Sequence, residues 1–401
     1  MTTGEVVLTL QSLQLCASYP RIVAARAQLD GRDTEPMKKL IILQLLLAAH
    51  SSLSAEQNQA HKSAESHDVT AFFQRLDSLR EDANIPGLSV AVVKDHAIVL
   101  AAGLGYADVE DSIAATAETA YDIASVAKPL SAVVALRLVE AGVLDLDRPL
   151  VDYSEWTDFC TEFSQQPSIF AQELRCQPPR HALRHLLSHT ATGTPGTRFS
   201  YNPVLYSWAS RPIMAAADAP FSALVERYVF IPAGMRKSAR KHRDLPLRED
   251  LAQRLAPPYR IDSSGAILRA PALPAQGDGA AGGVVTTVLD LARFDIALDQ
   301  GVLISAESRA AMMAPTRTVN GEALPYGLGW YVQQYEGHTL VWHSGWWENA
   351  YSALYLKIPT LNVSFIILAN SEGIWWDNPL ERAAVERSQF AQAFLSAFVD
   401  R

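Results

Sequence analysis

Residues 121–130 read YDIASVAKPL. Within them, Ser125-Val126-Ala127-Lys128 sets a hydroxyl and an amine three residues apart. On a helix that spacing puts both side chains on one face, within reach of each other. Two readings compete. In one, a serine opens a helix and a surface lysine follows. In the other, the lysine takes the proton of a serine that is otherwise a poor nucleophile. The second reading requires burial or nearby positive charge to lower the lysine pKa. The flanks favour it, because Ala124, Val126, Ala127 and Pro129 make a poor setting for a solvated lysine. A serine at a helix start also meets the positive end of the dipole, which favours a developing alkoxide. Spacing alone does not decide, since Ser238-Ala239-Arg240-Lys241 repeats it. That copy lies in RKSARKHRD, whose cations and missing apolar face predict a solvated loop.

Outward from this stretch, LSVAVVK and AIVLAAGLG (97–105) are β-rich runs with a short polar break, which predicts a hairpin. A helical run precedes them from Val69 to about Asn84. The helix bearing Ser125 continues through Val133, Val134 and Val139 and stops at Gly142. Residues 143–270 mix short helical patterns with Pro- and Arg-rich loops. Near the C-terminus HTLVWH, YSALYLKI and NVSFIILAN are three successive strand patterns, and a helix from about Asn378 to Val399 follows. Strands at both ends with helices between predict one sheet joining the two ends of the chain, with a helical lobe inserted.

The balance of 34 basic and 43 acidic residues, without a long basic stretch, disfavours nucleic acid as a partner. Residues 37–55, MKKLIILQLLLAAHSSLSA, have the layout of a secretory signal peptide cleaved after Ala55. Their apolar run, Leu40–Ala49, is too short to span a bilayer, which takes about 20 residues. The expected organisation is therefore an extension over 1–36 ahead of a start at Met37, a signal peptide over 37–55, a polar linker over 56–68 and one domain over 69–401. A periplasmic or secreted location follows. Removing the leader removes Cys16 and leaves Cys160 and Cys176. In an oxidising compartment that pair can close a loop worth about 3 kcal/mol; otherwise they are two free thiols.

Two further stretches bear on the serine. In GTRFSYNP (196–203) Tyr201 follows a Pro-Gly turn and can serve as a second proton carrier, and in HTLVWHSGWW (338–347) a strand runs into His343-Ser344-Gly345. Ser-x-x-Lys, then a tyrosine, then a strand-borne cation–hydroxyl–glycine triplet, in that order, resembles the β-lactamase and penicillin-recognising serine hydrolase family. Class C β-lactamases, D-Ala-D-Ala carboxypeptidases and family VIII carboxylesterases form the branch in question. RHLLSHTATG (184–193), YVFIPAGM (228–235), GGVVTTVLDLARF (282–294) and YGLGWYV (326–332) look like the same family. The resemblance covers roughly 69–399. It implies a fold of mixed α and β type, an antiparallel sheet flanked by helices with the site against an inserted helical lobe.

It also implies roles. Ser125 would form the acyl-enzyme, Lys128 would accept its proton, and Tyr201 would share proton transfer with Lys128. The backbone N–H groups of Ser125 and Trp346 would hold the oxyanion, and His343, Ser344 and Gly345 would meet the substrate. No metal or organic cofactor is implied, and the partner is a small ester, amide or peptide. Two departures stand out. The family's Tyr-x-Asn reads Tyr201-Asn202-Pro203 here, so the asparagine is lost unless Asn202 replaces it in a Ser200-Tyr201-Asn202 register. The third motif opens with His343 where class C β-lactamases have lysine and D-Ala peptidases have histidine. An imidazole with pKa near 6.5 would grip a substrate carboxylate weakly and pH-dependently. Both departures lean toward esters, leaving D-Ala-type peptidase close, β-lactamase third, and a non-catalytic penicillin-binding-like receptor as the rival class.

Trp346, Trp347, Trp375 and Trp376 are expected to line an apolar acyl pocket or to fill the core. Gly277-x-Gly279-x-x-Gly282 formally matches a dinucleotide fingerprint but follows proline-rich chain rather than a strand. It is expected to be a flexible rim loop before a helix opened by a Thr287-x-x-Asp290 box. His185 and His189, four apart, are expected to be structural, there being no third ligand. The absence of Gly-x-Ser-x-Gly argues against an α/β-hydrolase.

Overall fold

A computed structural model of the chain describes residues 69–177, 180–378 and 380–399. The expected extension, signal peptide and linker lie outside the described residues. Helix α1 covers residues 69–82. The strands are β1 (Gly87–Lys94), β2 (Ala97–Asp108), β3 (Ile113–Ala114), β4 (Tyr121–Asp122), β5 (Ala239–Arg240), β6 (Tyr259–Ile261), β7 (Ile267–Arg269), β8 (Val284–Thr286), β9 (Tyr331–Tyr335), β10 (His338–Trp347), β11 (Tyr351–Ile358) and β12 (Val363–Ala369).

The main sheet has seven antiparallel strands in the order β3-β2-β1-β12-β11-β10-β9. Its centre joins the two ends of the sequence, because β1 pairs with β12 from Leu88 opposite Ala369 to Lys94 opposite Val363. Both faces of that centre are covered. Leu88, Val90, Val92, Phe365 and Ile367 point toward α1 and the closing helix, Gln389–Phe398; Ala91, Val93, Ile366 and Leu368 point toward the helical lobe. Two-sided burial is why β1, β11 and β12 read as continuous apolar runs rather than as alternating ones. Phe72 of α1 meets Phe365 edge-on at 5.6 Å and Phe365 stacks on Phe394 at 5.1 Å, which pins both terminal helices to one face.

On the opposite face lies helix α2 (Ala127–Glu140), eleven of whose residues are buried. A helix apolar all round belongs in a core, not at a surface. The inserted lobe is not all-helical: β4, β8 and β5 form a small sheet within it, and β6 and β7 a hairpin. The closing helix begins at Gln389, later than its apolar pattern suggests. Ser388 caps it, accepting from the Ala391 N–H, while residues 385–387 form a 3₁₀ turn. Cys160, on the helix Trp156–Ser164, is joined to Cys176 with Cα atoms 5.8 Å apart. No helix among the described residues is long and apolar enough to cross a membrane.

A buried charge cluster ties the lobe to the sheet. Lys357 of β11 is 1% exposed and bonds Asp295, Asp299 (2.9 Å) and Ser364 (3.1 Å); Asp295 also accepts from the Tyr355 hydroxyl at 2.5 Å. Burial disfavours the ammonium, but the two carboxylates outweigh it and hold the Lys357 pKa above its ordinary value. Removing one partner leaves a buried charge uncompensated. Lys357→Met is therefore expected to destabilise the fold by about 3–5 kcal/mol, read as a lower denaturant midpoint; an unchanged midpoint would refute the cluster's structural role.

Candidate active site

Ser125 sits in a 3₁₀ turn, Ala124–Val126, immediately before α2 opens at Ala127. It therefore lies one residue ahead of the N-cap position, Val126, instead of capping the helix itself. The turn is clamped from two sides. Ile123 N–H donates to Val284 O of β8 (3.1 Å), and β10 presses in at Gly345, where a Cβ would come within 2.2 Å of Ile123 O. Only glycine fits that contact. Ala124 has φ +47°, a left-handed backbone that costs a non-glycine residue about 1–2 kcal/mol.

The expected trio comes together. Lys128 Nζ is 2.7 Å from Ser125 Oγ and 2.7 Å from Tyr201 Oη, and Tyr201 Oη is 2.8 Å from Ser125 Oγ. Nζ also donates to Ala281 O at 3.3 Å. Lys128 is fully buried, and it makes no ion pair among the described residues. Desolvation without a counter-charge pushes its pKa well below the ordinary lysine value. Burial pushes the Tyr201 phenol upward, so it keeps its proton. One hydrogen assignment satisfies every group. The neutral amine accepts the serine proton and donates to Tyr201 and Ala281 O, while Tyr201 donates to Ser125 Oγ. Such a ring can lift a proton from the serine and return it to a leaving group.

His189 lies tilted against Tyr201 with ring centroids 4.3 Å apart, and its Nδ1 accepts the Asn202 N–H at 3.0 Å. Among the described residues no group of three His, Cys, Asp or Glu is placed to hold a metal ion.

Asn202 does not face the cleft. It caps the helix Pro203–Trp208, its carboxamide oxygen accepting from Leu205 N–H at 3.0 Å and its NH₂ donating to Phe170 O at 2.6 Å. Pro203 occupies the first helical position, where a missing N–H is harmless. Asn202 thus fails as a substitute for the motif asparagine, because both halves of its amide are engaged.

Nor does His343 present a cation to the cleft. It is 1% exposed, with Nδ1 2.7 Å from Ser344 O and Nε2 2.9 Å from Tyr326 Oη. Nδ1 donates to that carbonyl, and with burial favouring the neutral ring Nε2 accepts from the tyrosine. Burial holds its pKa well below the usual imidazole range. The pH-dependent grip on a carboxylate expected of it has no free nitrogen to act through.

The cleft in front of Ser125 measures ≈ 550 Å³ and is lined by Tyr201, Pro203, Phe170, Ser344, Trp346, Trp347, Trp375 and Glu348 among others. Trp376 does not line the cleft; half-buried, it packs against the core beside Trp342, with ring centroids 5.7 Å apart. Gly277, Gly279, Gly282 and Gly283 form one rim of the cleft, ahead of β8. That rim is tied down by Arg240, which bonds Gly279 O (2.7 Å), Gly282 O and Asp278 (3.1 Å). Arg240 is 3% and Ser238 1% exposed, so the second Ser-x-x-Lys lies on a buried strand edge and not in a solvated loop. The Ser238 hydroxyl bonds Asp290 at 2.8 Å. Thr287 caps the next helix through the Asp290 N–H, but the Asp290 carboxylate points away to Lys237 N–H and Ser238, so the box is half formed. Neither Arg240 nor the Ala281 carbonyl was foreseeable, since no motif reports a backbone acceptor.

The profile described as Beta-lactamase matches residues 72–387. The chain belongs to that family, and with it to the serine hydrolases. It is 25% identical over 331 residues to Penicillin-binding protein 4* of Bacillus subtilis, spanning 72% of this chain and 69% of that one. It is 24% identical over 323 residues to Protein flp of Staphylococcus aureus, spanning 74% of this chain but only 63% of that protein. Among solved structures, the octameric penicillin-binding protein homologue from Pyrococcus abyssi superposes with a TM-score of 0.65 at 23% identity, covering 82% of this chain and 77% of that one.

A lysine base with a lowered pKa has a kinetic signature. The rate at which a fluorophosphonate labels Ser125 is expected to rise with pH as Lys128 loses its proton, then to level off below about 10.4, where an ordinary lysine titrates. A rate still climbing through that pH would show an unperturbed amine.

Proposed function

We propose that the protein is a carboxylesterase for neutral esters with an apolar acyl group, acting through an acyl-enzyme on Ser125. The observation that carries this reading is the charge of the cleft. Among the described residues that line it Glu348 alone is charged, and none of them is a lysine, arginine or free imidazole that could seat a substrate carboxylate. D-Ala peptides and β-lactams both carry such a carboxylate. The amide contact of the family's asparagine is missing as well, at Pro203. What remains is an indole-rich wall suited to apolar acyl or aryl groups.

In this reading Ser125 Oγ attacks the ester carbonyl while its proton passes to the neutral Lys128 amine. The oxyanion is held by the N–H groups of Ser125 and Trp346, each worth about 3 kcal/mol in such a hole. As the C–O bond breaks, Lys128 returns the proton through Tyr201 to the departing alkoxide, and the alcohol leaves. Water then enters, loses a proton to the same pair and attacks the acyl-enzyme. The carboxylic acid departs and Ser125 recovers its hydrogen. We place the enzyme in the periplasm or outside the cell, a reading supported by the Cys160–Cys176 bond together with the leader-like residues 37–55.

Ser125→Ala is expected to lower turnover of 4-nitrophenyl butyrate more than about 10³-fold; near-full turnover by that variant would refute Ser125 as the nucleophile, and a wild type that binds but turns over no ester would leave the binding-module reading. The wild type is expected to favour the butyrate over the 4-nitrophenyl hemisuccinate by about tenfold in kcat/KM, since Glu348 repels the added carboxylate. Benzylpenicillin is expected to remain intact without a mass adduct. A lasting adduct on wild type but not Ser125→Ala would point to a peptidase, and consumed drug to a β-lactamase.

A further inference from the structure

We propose that Asp122 is a positioning residue that holds the nucleophile turn and the aromatic wall of the cleft together; the proposal rests on Ser125 being the nucleophile. Asp122 ends β4, three residues before Ser125, and is 7% exposed. A single carboxylate oxygen, Oδ1, accepts two hydrogen bonds of 2.9 Å. One comes from the Ala124 N–H and the other from the Trp347 indole N–H. Those donors come from distant parts of the chain, yet both residues line the cleft beside Ser125.

The first bond is local. A carboxylate accepting from the N–H two residues on forms an Asx turn, which stabilises a tight change of direction. Here the residue held is Ala124, whose left-handed φ of +47° is the strained step that brings Ser125 forward. The second bond fixes the rotation of an indole on β10, two residues beyond Gly345, which itself abuts Ile123. One oxygen atom therefore sets the posture of Ser125 and the width of the pocket that receives the acyl group. Asp122 reaches neither Lys128 nor Tyr201 in any hydrogen bond among the described residues, so it acts through Ala124 and Trp347 rather than on reacting atoms. Burial raises its pKa, and the two donors, with the cations Lys241 and Arg240, pull the other way toward the ionised acceptor.

The test compares wild type, Asp122→Ala and Asp122→Asn in the full chain. Fluorophosphonate labelling is followed by intact mass, and steady-state hydrolysis uses 4-nitrophenyl esters of increasing acyl length. A nucleophile displaced by about 1 Å is expected to slow labelling at least 30-fold in Asp122→Ala. For the acetate ester kcat should fall far more than KM changes, and the preference among acyl lengths should flatten as Trp347 is released. Asp122→Asn keeps an acceptor oxygen and is expected to label within about fivefold of wild type. A purely structural role would move the thermal midpoint without that split or that rescue. Wild-type labelling by Asp122→Ala, or an Asp122→Asn as slow as the alanine variant, would overturn the proposal. Should Asp122→Ala not fold, the isosteric Asp122→Asn still decides by its labelling rate. A wild type that takes no label defeats Ser125 as nucleophile and this proposal with it. A chain that labels normally but hydrolyses no ester loses only the ester assignment, and the labelling ratio still judges Asp122.

Discussion

An amine buried without a counter-charge is the constraint around which this molecule is arranged. Lys128 has no carboxylate partner among the described residues and no exposure to water. A charged ammonium there would bear most of its desolvation penalty unrelieved. The neutral amine escapes that penalty, but only if its lone pair and N–H groups each find a partner. Ser125, Tyr201 and the Ala281 carbonyl are those partners. The contrast with Lys357 is instructive. Both lysines are fully buried, but two aspartates keep Lys357 charged, and it serves the fold rather than chemistry.

Supplying those partners takes elements from distant parts of the sequence. Tyr201 comes from the loop ahead of the helix Pro203–Trp208, and Ala281 from a rim braced by Arg240 of β5. Gly345 arrives on β10 and packs against the turn itself. The pairing of β1 with β12 closes the sheet that carries β10, so the termini of the domain stabilise a site located between them. The strain at Ala124 survives because β8, β10 and Asp122 all hold the turn.

Legibility followed locality. Ser125 and Lys128 are three residues apart, and their apolar flanks already pointed to burial. The central strands were legible because burial on both faces leaves uninterrupted apolar runs, and the ring partner Tyr201 stood out by its turn and its order in the chain. What escaped was decided by contacts across the chain. Asn202 reads as a ligand until the helix it caps is in view, and His343 as a cation until Tyr326 and the Ser344 carbonyl engage both nitrogens. RKSARKHRD reads as solvated because its cations are counted without Asp278 and the glycine-loop carbonyls that take up Arg240. A single sequence shows a group's hydrogen-bonding capacity, but not whether a distant segment has filled it.

That distinction also governs what the cleft can select. Swapping lysine for histidine at position 343 is more than a change of pKa, since a buried neutral imidazole bonded at both nitrogens presents no charge at all. A substrate carboxylate placed before it would lose its water and gain no cation, a cost a hydrocarbon chain does not meet. Apolar groups face the opposite balance. Each CH₂ moved from water onto the indole wall gains about 0.8 kcal/mol, and Trp346, steadied by its 3.0 Å bond to Glu372 and stacked on Trp375 at 5.5 Å, loses little freedom in receiving it. Under the proposed ester reading, selectivity comes as much from what the cleft leaves unpaired as from what it binds. The one acidic side chain on its rim, Glu348, adds repulsion to missing attraction.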